Sequence, residues 1–362
     1  MSEIKQTILI AAGGTGGHMF PAKAFADEMV ARGFDVILVT DPRGRRYTEG
    51  FPSIDNLILS VTNADEGGLK GKINAGLNLL KSISQTKPFL KKHSPVAVVG
   101  FGGYPTFPVL YNAKCPVIIH EQNAVLGRVN RFFQKKAVKI CSGFETLNFL
   151  EYKEKHVVCG NPVRKELIEA GKAPFPEIKP NGTLRILVTG GSQGARVLGQ
   201  AVPDAIAELP ENLRQRLFVS HQVREEQCDT ARETYGDAGV QAEVWPFFKD
   251  MATRLKDAHL VIGRSGASTV SETAVVGRSA IFIPLPSATN DHQTYNAESM
   301  VKSGGADLIK ENELSVKRLS QLLEMRLMNE EKLKERGAAI KNAARPDAAQ
   351  RLADVVIGEI NA

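Results

Sequence analysis

Hydrophobic positions in this chain come in short runs rather than long stripes. Thr7 to Ala12, Val36 to Thr40, Leu57 to Val61, Val96 to Val99, Pro116 to Ile119 and Val138 to Ile140 each read as a buried strand. Helix-length segments separate them. Ala22 to Ala31 is rich in helix formers, with Pro21 expected in the first turn, where a missing N–H is tolerated. Strands spaced this way predict right-handed βαβ crossovers and a parallel sheet. Gly171 to Thr183 breaks the rhythm with Pro174, Pro176, Pro180 and Gly182 and reads as a linker. The opening then recurs: a strand from Leu184 to Thr189, a glycine turn from Gly190 to Gly194, a helix from Ala195 to Glu208. The pattern predicts an α/β protein of two Rossmann-like, doubly wound domains. Residues 1–164 with 345–362 form one and residues 165–344 the other, the last helix (Asp347 to Ile360) packing back on the first.

Composition narrows the class. At 362 residues the chain is too long for one ordinary core and long enough for two. Its 43% hydrophobic and 24% charged residues are those of a globular protein. No apolar run is long enough to cross a bilayer, and the first one leads straight into glycines, unlike a signal peptide. Four scattered cysteines lack the spacing of a zinc or redox site, so a cytosolic address is expected. The net charge of +6 suits nucleic acid, an anionic membrane or a phosphorylated substrate equally. One Trp and six Tyr are few for stacking single-stranded bases, and no nucleic-acid partner is expected. Between Asp65 and His93 six lysines face two acids, interleaved with Ile73, Leu77, Leu79, Leu80 and Ile83. That stretch reads either as a membrane-docking face or as a core helix with a solvated lysine side.

The glycine turns carry the candidate chemistry. Gly13-Gly14-Thr15-Gly16-Gly17-His18 and Gly190-Gly191-Ser192-Gln193-Gly194 each follow a strand and open a helix, where free N–H groups and the helix dipole favour a phosphate. Neither carries the Lys-Ser/Thr of an ATP-binding loop, and the first lacks the third glycine of the dinucleotide fingerprint. Either loop alone is explained by packing; two at equivalent places point to ligands. A third site runs from Gly263 through Arg264, Ser265, Gly266, Ala267 and Ser268 into a helix carrying Glu272. Ser268 and Glu272 share a helical face, and a carboxylate there suits two ribose hydroxyls, although a solvated glutamate is the commoner fate. Asn290-Asp291-His292-Gln293-Thr294-Tyr295-Asn296 suits sugar hydroxyls or, more plainly, a helix cap.

Taken in order, these segments resemble the MurG-type transferases, bacterial enzymes that add GlcNAc to undecaprenyl-diphosphate-MurNAc-pentapeptide, converting lipid I to lipid II. Gly13 to His18, Gly102-Gly103-Tyr104, His120-Glu121-Gln122-Asn123, Gly160-Asn161-Pro162-Val163-Arg164, Gly190 to Ala195, Arg264 to Ala267 with Glu272, and Asp291 to Thr294 with Asn296-Ala297 carry the likeness over nearly the whole chain. The stretch Gly143 to Lys155 matches the family less well.

The resemblance implies a GT-B fold, two domains facing a cleft, the acceptor held by the first and the donor UDP-GlcNAc by the second. By position, Glu272 binds the ribose and Gln293, with His292 beside it, the sugar. Ser192 with Gly191 and Gln193 meets the diphosphate, Phe248 borders the uracil through its backbone, and Arg164, Arg264, Ala267 and Ser268 complete the donor site. Thr15, Gly16, Gly17, Tyr104, Glu121 and Asn123 fall on the acceptor side with His18. The implied partners are UDP-GlcNAc, lipid I, the anionic cytoplasmic face of the plasma membrane and cell-wall assembly proteins, with the enzyme peripheral on that face.

Inverting transfer needs a base for the acceptor hydroxyl and positive potential for the departing UDP. The chain has no Asp-x-Asp motif, so neither metal nor other cofactor is expected, and helix N-termini with Arg164 supply the potential. His18 is the leading base, with binding the acceptor diphosphate or orienting its loop as the alternative role. Glu121 and His120 are weaker candidates. The rival readings are a UDP-sugar epimerase of similar architecture, a dinucleotide oxidoreductase, and a scaffold without catalysis.

Overall fold

This computed structural model describes residues 5–60, 68–191 and 194–362, with the backbone alone for 68–73. The chain divides into two compact units, Met1–Arg164 with Arg345–Ala362, and Lys165–Ala344. The first holds β1 (Thr7–Ala11), β2 (Asp35–Thr40), β3 (Asp55–Ile58), β4 (Ala97–Gly100), β5 (Val117–Glu121), β6 (Lys139–Ser142) and β7 (His156–Val158). They pair in parallel in the order β3-β2-β1-β4-β5-β6-β7. The second holds β8 (Leu184–Thr189), β9 (Leu217–Gln222), β10 (Gln241–Trp245), β11 (Leu260–Gly263), β12 (Ser279–Phe282) and β13 (Ala306–Leu308). These too are parallel, in the order β10-β9-β8-β11-β12-β13.

Alternation along the strands gives the first sheet a core on each face. In the first unit Ile8 and Ile10 of β1 pack with Phe25 and Met29 of helix Gly16–Ala31, while Leu9 and Ala11 face Val109, Leu110 and Phe133 on the other side. Both faces are covered, which is why these strands read as unbroken apolar runs. Helix Ala348–Ile360 returns to the first unit, adding Leu352, Ala353 and Val356 to the core beneath helix Gly16–Ala31, with Arg32 paired to Asp354.

Both sheets reverse direction beside their first strand, between β1 and β4 and between β8 and β11. Loops diverge there at the carboxyl ends of the strands, and a crevice for ligands opens. The two pairs of glycine-bearing loops leave from these four strand ends.

Several local expectations change. Helix Gly16–Ala31 begins a turn earlier than its helix formers imply, so Pro21 lies inside it and removes the bond that the exposed Gly17 carbonyl would accept. Strand β7 was not expected from the pattern, because its three residues are all half-buried and make no apolar run. The proline-rich segment is not a free linker. Helix Lys165–Lys172 enters it, Lys341 Nζ donates to the Gly171 carbonyl, and Phe175 and Ile178 pack on the second unit's core. Leu57 to Ile58 lies in β3, while Val61 falls outside the described residues. Among the described residues no helix is long and apolar enough to cross a membrane.

Candidate active site

In the first unit the crevice is made by backbone. Gly14 takes a left-handed φ of +81°, and its N–H reaches Asp41 Oδ1 at the end of β2 (3.3 Å). The same oxygen accepts from Gly44 N–H at 2.8 Å, while Arg43 pairs with Oδ2. Asp41 is buried, and a pattern-based reading has no reason to choose it. The loops after β1 and β4 press together so closely that a Cβ on Gly13 would stand 2.1 Å from Pro105 Cγ. Gly102 and Gly103, beside the half-buried Tyr104, both have φ above +80°, and Thr106 Oγ1 donates to the Gly102 carbonyl. Thr15, at the helix N-cap, makes no side-chain cap, and no acid lies in the first turn around Gly16 and Gly17. The N–H groups of His18 and Met19 are taken by the Thr15 carbonyl, and those of Gly16 and Gly17 stand at a helix start of the kind that suits an anion. The half-buried His18 rests its ring on Gly102, where an added Cβ would meet Cδ2 and Nε2 at 3.3 Å.

The segment after β5 is different. Glu121 Oε1 accepts from the backbone and side-chain N–H of Asn123, both at 3.1 Å, and Oε2 from Gly127 N and Asn130 Nδ2, both at 2.8 Å. Four donors on a buried carboxylate make it a loop brace with no lone pair left for a substrate proton. His120 is wholly buried, one ring nitrogen 2.9 Å from the Gly160 carbonyl and the other 3.0 Å from Gln122 Nε2. Burial lowers its pKa to about 4. Neither is placed to act as the transfer base. Asn161 Nδ2 donates to the Gln122 carbonyl, tying the segment before Arg164 to the same loop. The Arg164 guanidinium lies over Phe20 at 4.9 Å, and Phe20 meets Tyr47 edge-on at 5.3 Å beside Gly16.

In the second unit Gly191 and Gly194 have φ of +75° and +66°; Ser192 and Gln193 lie outside the described residues. Gln222, the last residue of β9, was missed by the sequence reading. It accepts from Thr189 Oγ1 (2.9 Å) and donates to the carbonyls of Gly191 (3.3 Å) and Pro246 (3.2 Å). Phe248 is buried beneath the Arg254 guanidinium, 3.9 Å from its ring, so only its backbone is available to a base, while Phe247 stays exposed.

The Arg264 side chain also turns inward. It donates to the carbonyls of Ile283 and Pro284 and pairs with Glu311, so the guanidinium is taken up by the protein itself, against the expectation that it helps hold a donor. Helix Ala267–Val276 starts behind Gly266 with no side-chain cap and no acid in its first turn. Ser268 and Glu272, one turn apart, are half-buried. The Ser265 and Ser268 hydroxyls are buried with no protein partner among the described residues, as polar atoms awaiting a ligand would be. Asn296 Nδ2 holds the Ser265 carbonyl.

Asn290 and Asp291 both take φ of +53°, turning the chain into helix His292–Lys302. Asp291 caps through Thr294, whose hydroxyl donates to it, rather than through a backbone N–H. His292 Nδ1 lies 2.9 Å from the Thr289 carbonyl, and Gln293 Oε1 accepts from Leu285 N–H. That leaves the Gln293 amide N–H groups to donate to a ligand oxygen.

Two doubly wound units, each with a helix N-terminus at its switch point, have the architecture of the GT-B fold. The family models agree: residues 8–142 match the glycosyltransferase family 28 N-terminal domain and residues 185–352 its C-terminal domain. In Maricaulis maris the UDP-N-acetylglucosamine–N-acetylmuramyl-(pentapeptide) pyrophosphoryl-undecaprenol N-acetylglucosamine transferase is 47% identical over 97% of this chain and 96% of its own. The crystal structure of Acinetobacter baumannii MurG is similar at a TM-score of 0.80 and 30% identity, covering 98% of this chain and 99% of that one. The chain belongs to this MurG family of N-acetylglucosamine transferases. A Neisseria meningitidis UDP-GlcNAc 2-epimerase, covering 98% of this chain and all of its own, shares the fold alone, at a TM-score of 0.67 and 13% identity.

Proposed function

We propose that this enzyme transfers GlcNAc, with inversion, from UDP-GlcNAc to the C4 hydroxyl of MurNAc in lipid I, forming lipid II for peptidoglycan. The observation that carries the reading is the near-complete, 47% identical match to a relative named for that donor and acceptor, over a chain that keeps both crevices. The donor is assigned to the second unit. Glu272 takes the ribose hydroxyls, Gln293 and His292 the sugar, and the Phe248 backbone the uracil. The Gly190–Gly194 loop, with Ser192 and Gln193, and the N-terminus of helix Ala267–Val276 take the diphosphate. The acceptor is assigned to the first unit, its diphosphate at the Gly13–Gly17 loop near Tyr104 and Asn123.

His18 removes the C4 proton as the hydroxyl attacks the anomeric carbon. Glu121 and His120 are occupied elsewhere, which supports that choice. Negative charge gathers on the departing UDP, and helix amides with Arg164 offset it without a metal.

The acceptor's lipid tail requires a membrane surface. In the first unit Leu77 and Leu80 on helix Gly68–His93 are 60% and 65% exposed, and Tyr111 and Phe132 are exposed as well. Phe107 links Tyr111 to Phe132 through ring contacts, and Lys81 and Lys87 lie on the same helix as the leucines. This apolar and basic face suits the anionic cytoplasmic leaflet; the side chains of Lys70, Lys72 and Ile73 lie outside the described residues.

The test is transfer of labelled GlcNAc from UDP-GlcNAc to a short-chain lipid I analogue in EDTA. Product is expected. Donor binding without product, with or without Mg²⁺, overturns the acceptor assignment, and conversion of UDP-GlcNAc to its 2-epimer brings the epimerase reading forward.

A further inference from the structure

Gln222 sits between two strands whose exits form the proposed donor site. It is paired in register with Thr189, the last residue of β8, and with Trp245, the last of β10. From there its amide spans both loops at once. Its oxygen accepts from Thr189 Oγ1, which itself accepts from Gly191 N–H at 3.3 Å. Its nitrogen donates to the Gly191 carbonyl and, across the strand, to the Pro246 carbonyl just before Phe247 and Phe248. Gly191 is thus held from both sides of its peptide at a left-handed φ of +75°, and Pro246 is tied to it through one buried side chain, 5% exposed. Every polar group of the amide is engaged, so the side chain has one orientation that satisfies it.

We infer that Gln222 is a positioning residue for the donor: one amide fixes the spacing between the loop assigned to the diphosphate and the loop assigned to the uracil. The inference rests on the donor assignment made above. A nucleoside diphosphate has a set distance between base and phosphate. Two loops that drift independently meet both ends less often than two loops held by one amide. The effect therefore falls on donor binding rather than on the chemical step.

The test compares Gln222→Ala and Gln222→Glu with the wild type in steady-state transfer and in inhibition by free UDP. Glutamate keeps the size and the bond from Thr189 but has no N–H for either carbonyl. In both variants KM for UDP-GlcNAc and Ki for UDP are expected to rise about tenfold, the effect of losing two modest hydrogen bonds. The kcat and the acceptor KM stay within about twofold. The glutamate variant, isosteric with the wild type, covers the case in which alanine fails to fold. A folded Gln222→Glu enzyme with unchanged donor KM and Ki overturns the inference. So does a fall in kcat alone, which a purely structural role would give. A wild-type enzyme that neither binds nor turns over UDP-GlcNAc overturns the donor assignment itself, so the two failures are distinct.

Discussion

At the scale of single residues, the histidines and carboxylates near the strand ends separate by what already holds them. Glu121 has four donors, whereas the ring of His18 rests on Gly102 at the first crevice. His18→Ala should cut kcat by about 10²- to 10⁴-fold, the usual share of a general base, with little change in donor KM. Glu272→Ala should instead raise donor KM. Glu121→Gln should lower the melting temperature, because an amide N–H then faces donors on a buried site, at a cost of about 1–3 kcal/mol. Steady-state kinetics and thermal melts on the three variants check this division; similar kinetic profiles at His18 and Glu272 would remove it. The glycine turns were legible in the sequence, because left-handed turns and helix starts need particular residue types. The sequence did not expose Asp41 or Gln222, whose roles come from partners 27 and 31 positions away in the chain. Nor did it show that Arg264 turns inward, since an arginine beside a glycine turn looks the same in sequence whichever way it points.

At the scale of elements, the strands around β1 and β8 were legible because they are covered on both faces. Strand β7 was missed because it is short and half-buried, and β9, β10 and β13 because polar residues such as Ser220, His221, Glu243 and Asp307 break their apolar runs. A buried arginine was equally invisible. Arg278, 1% exposed, donates to the carbonyls of Leu255 and Lys256 in helix Met251–Asp257 and of Val276 and Gly277 at the end of helix Ala267–Val276. Burial lowers its pKa to about 10, so it stays charged at neutral pH. It completes two helix C-termini, one of them on the helix that carries Glu272. Arg278→Met should destabilise the protein by about 2–4 kcal/mol, since four carbonyls lose a charged donor in a dry site. Chemical denaturation measures this, and a loss below about 0.5 kcal/mol would mean the carbonyls find other partners. The exposed face at Leu77, Leu80 and Phe132 makes the opposite prediction. Serine at all three should leave the melting temperature nearly unchanged and reduce sedimentation with vesicles containing anionic lipid; unchanged sedimentation would locate the docking surface elsewhere.

At the scale of the whole molecule, both units bury histidines in the neutral form. Burial lowers the pKa of His120 to about 4, of His221 to about 3 and of His259 to about 4, and shifts the half-buried His156 in the same direction. His221 Nδ1 meets the Tyr235 hydroxyl and its Nε2 has no partner among the described residues, while Arg278 and Arg185 add to the effect of burial at His259. Each group is depressed below its unfolded value near 6.5, so the unfolded chain binds protons first as pH falls. Stability is therefore highest above about pH 6.5 and declines toward pH 4, by about 1.4 kcal/mol per pH unit for each fully shifted histidine. Asp55 and Asp250 are also lowered, by Lys92 and Arg254 in turn, but their contribution is lost only as pH falls below the ordinary carboxylate range. At pH 5.5 the histidine effect thus stands apart, and unfolding should take up roughly three protons, about nine-tenths of one at each of His120, His221 and His259. Calorimetric unfolding in two buffers of different ionisation enthalpy measures that number without assuming that both units unfold together. An uptake near zero would mean that these rings are already charged in the fold, against their burial; an uptake near three ties the acid sensitivity of both units to histidines packed away from solvent.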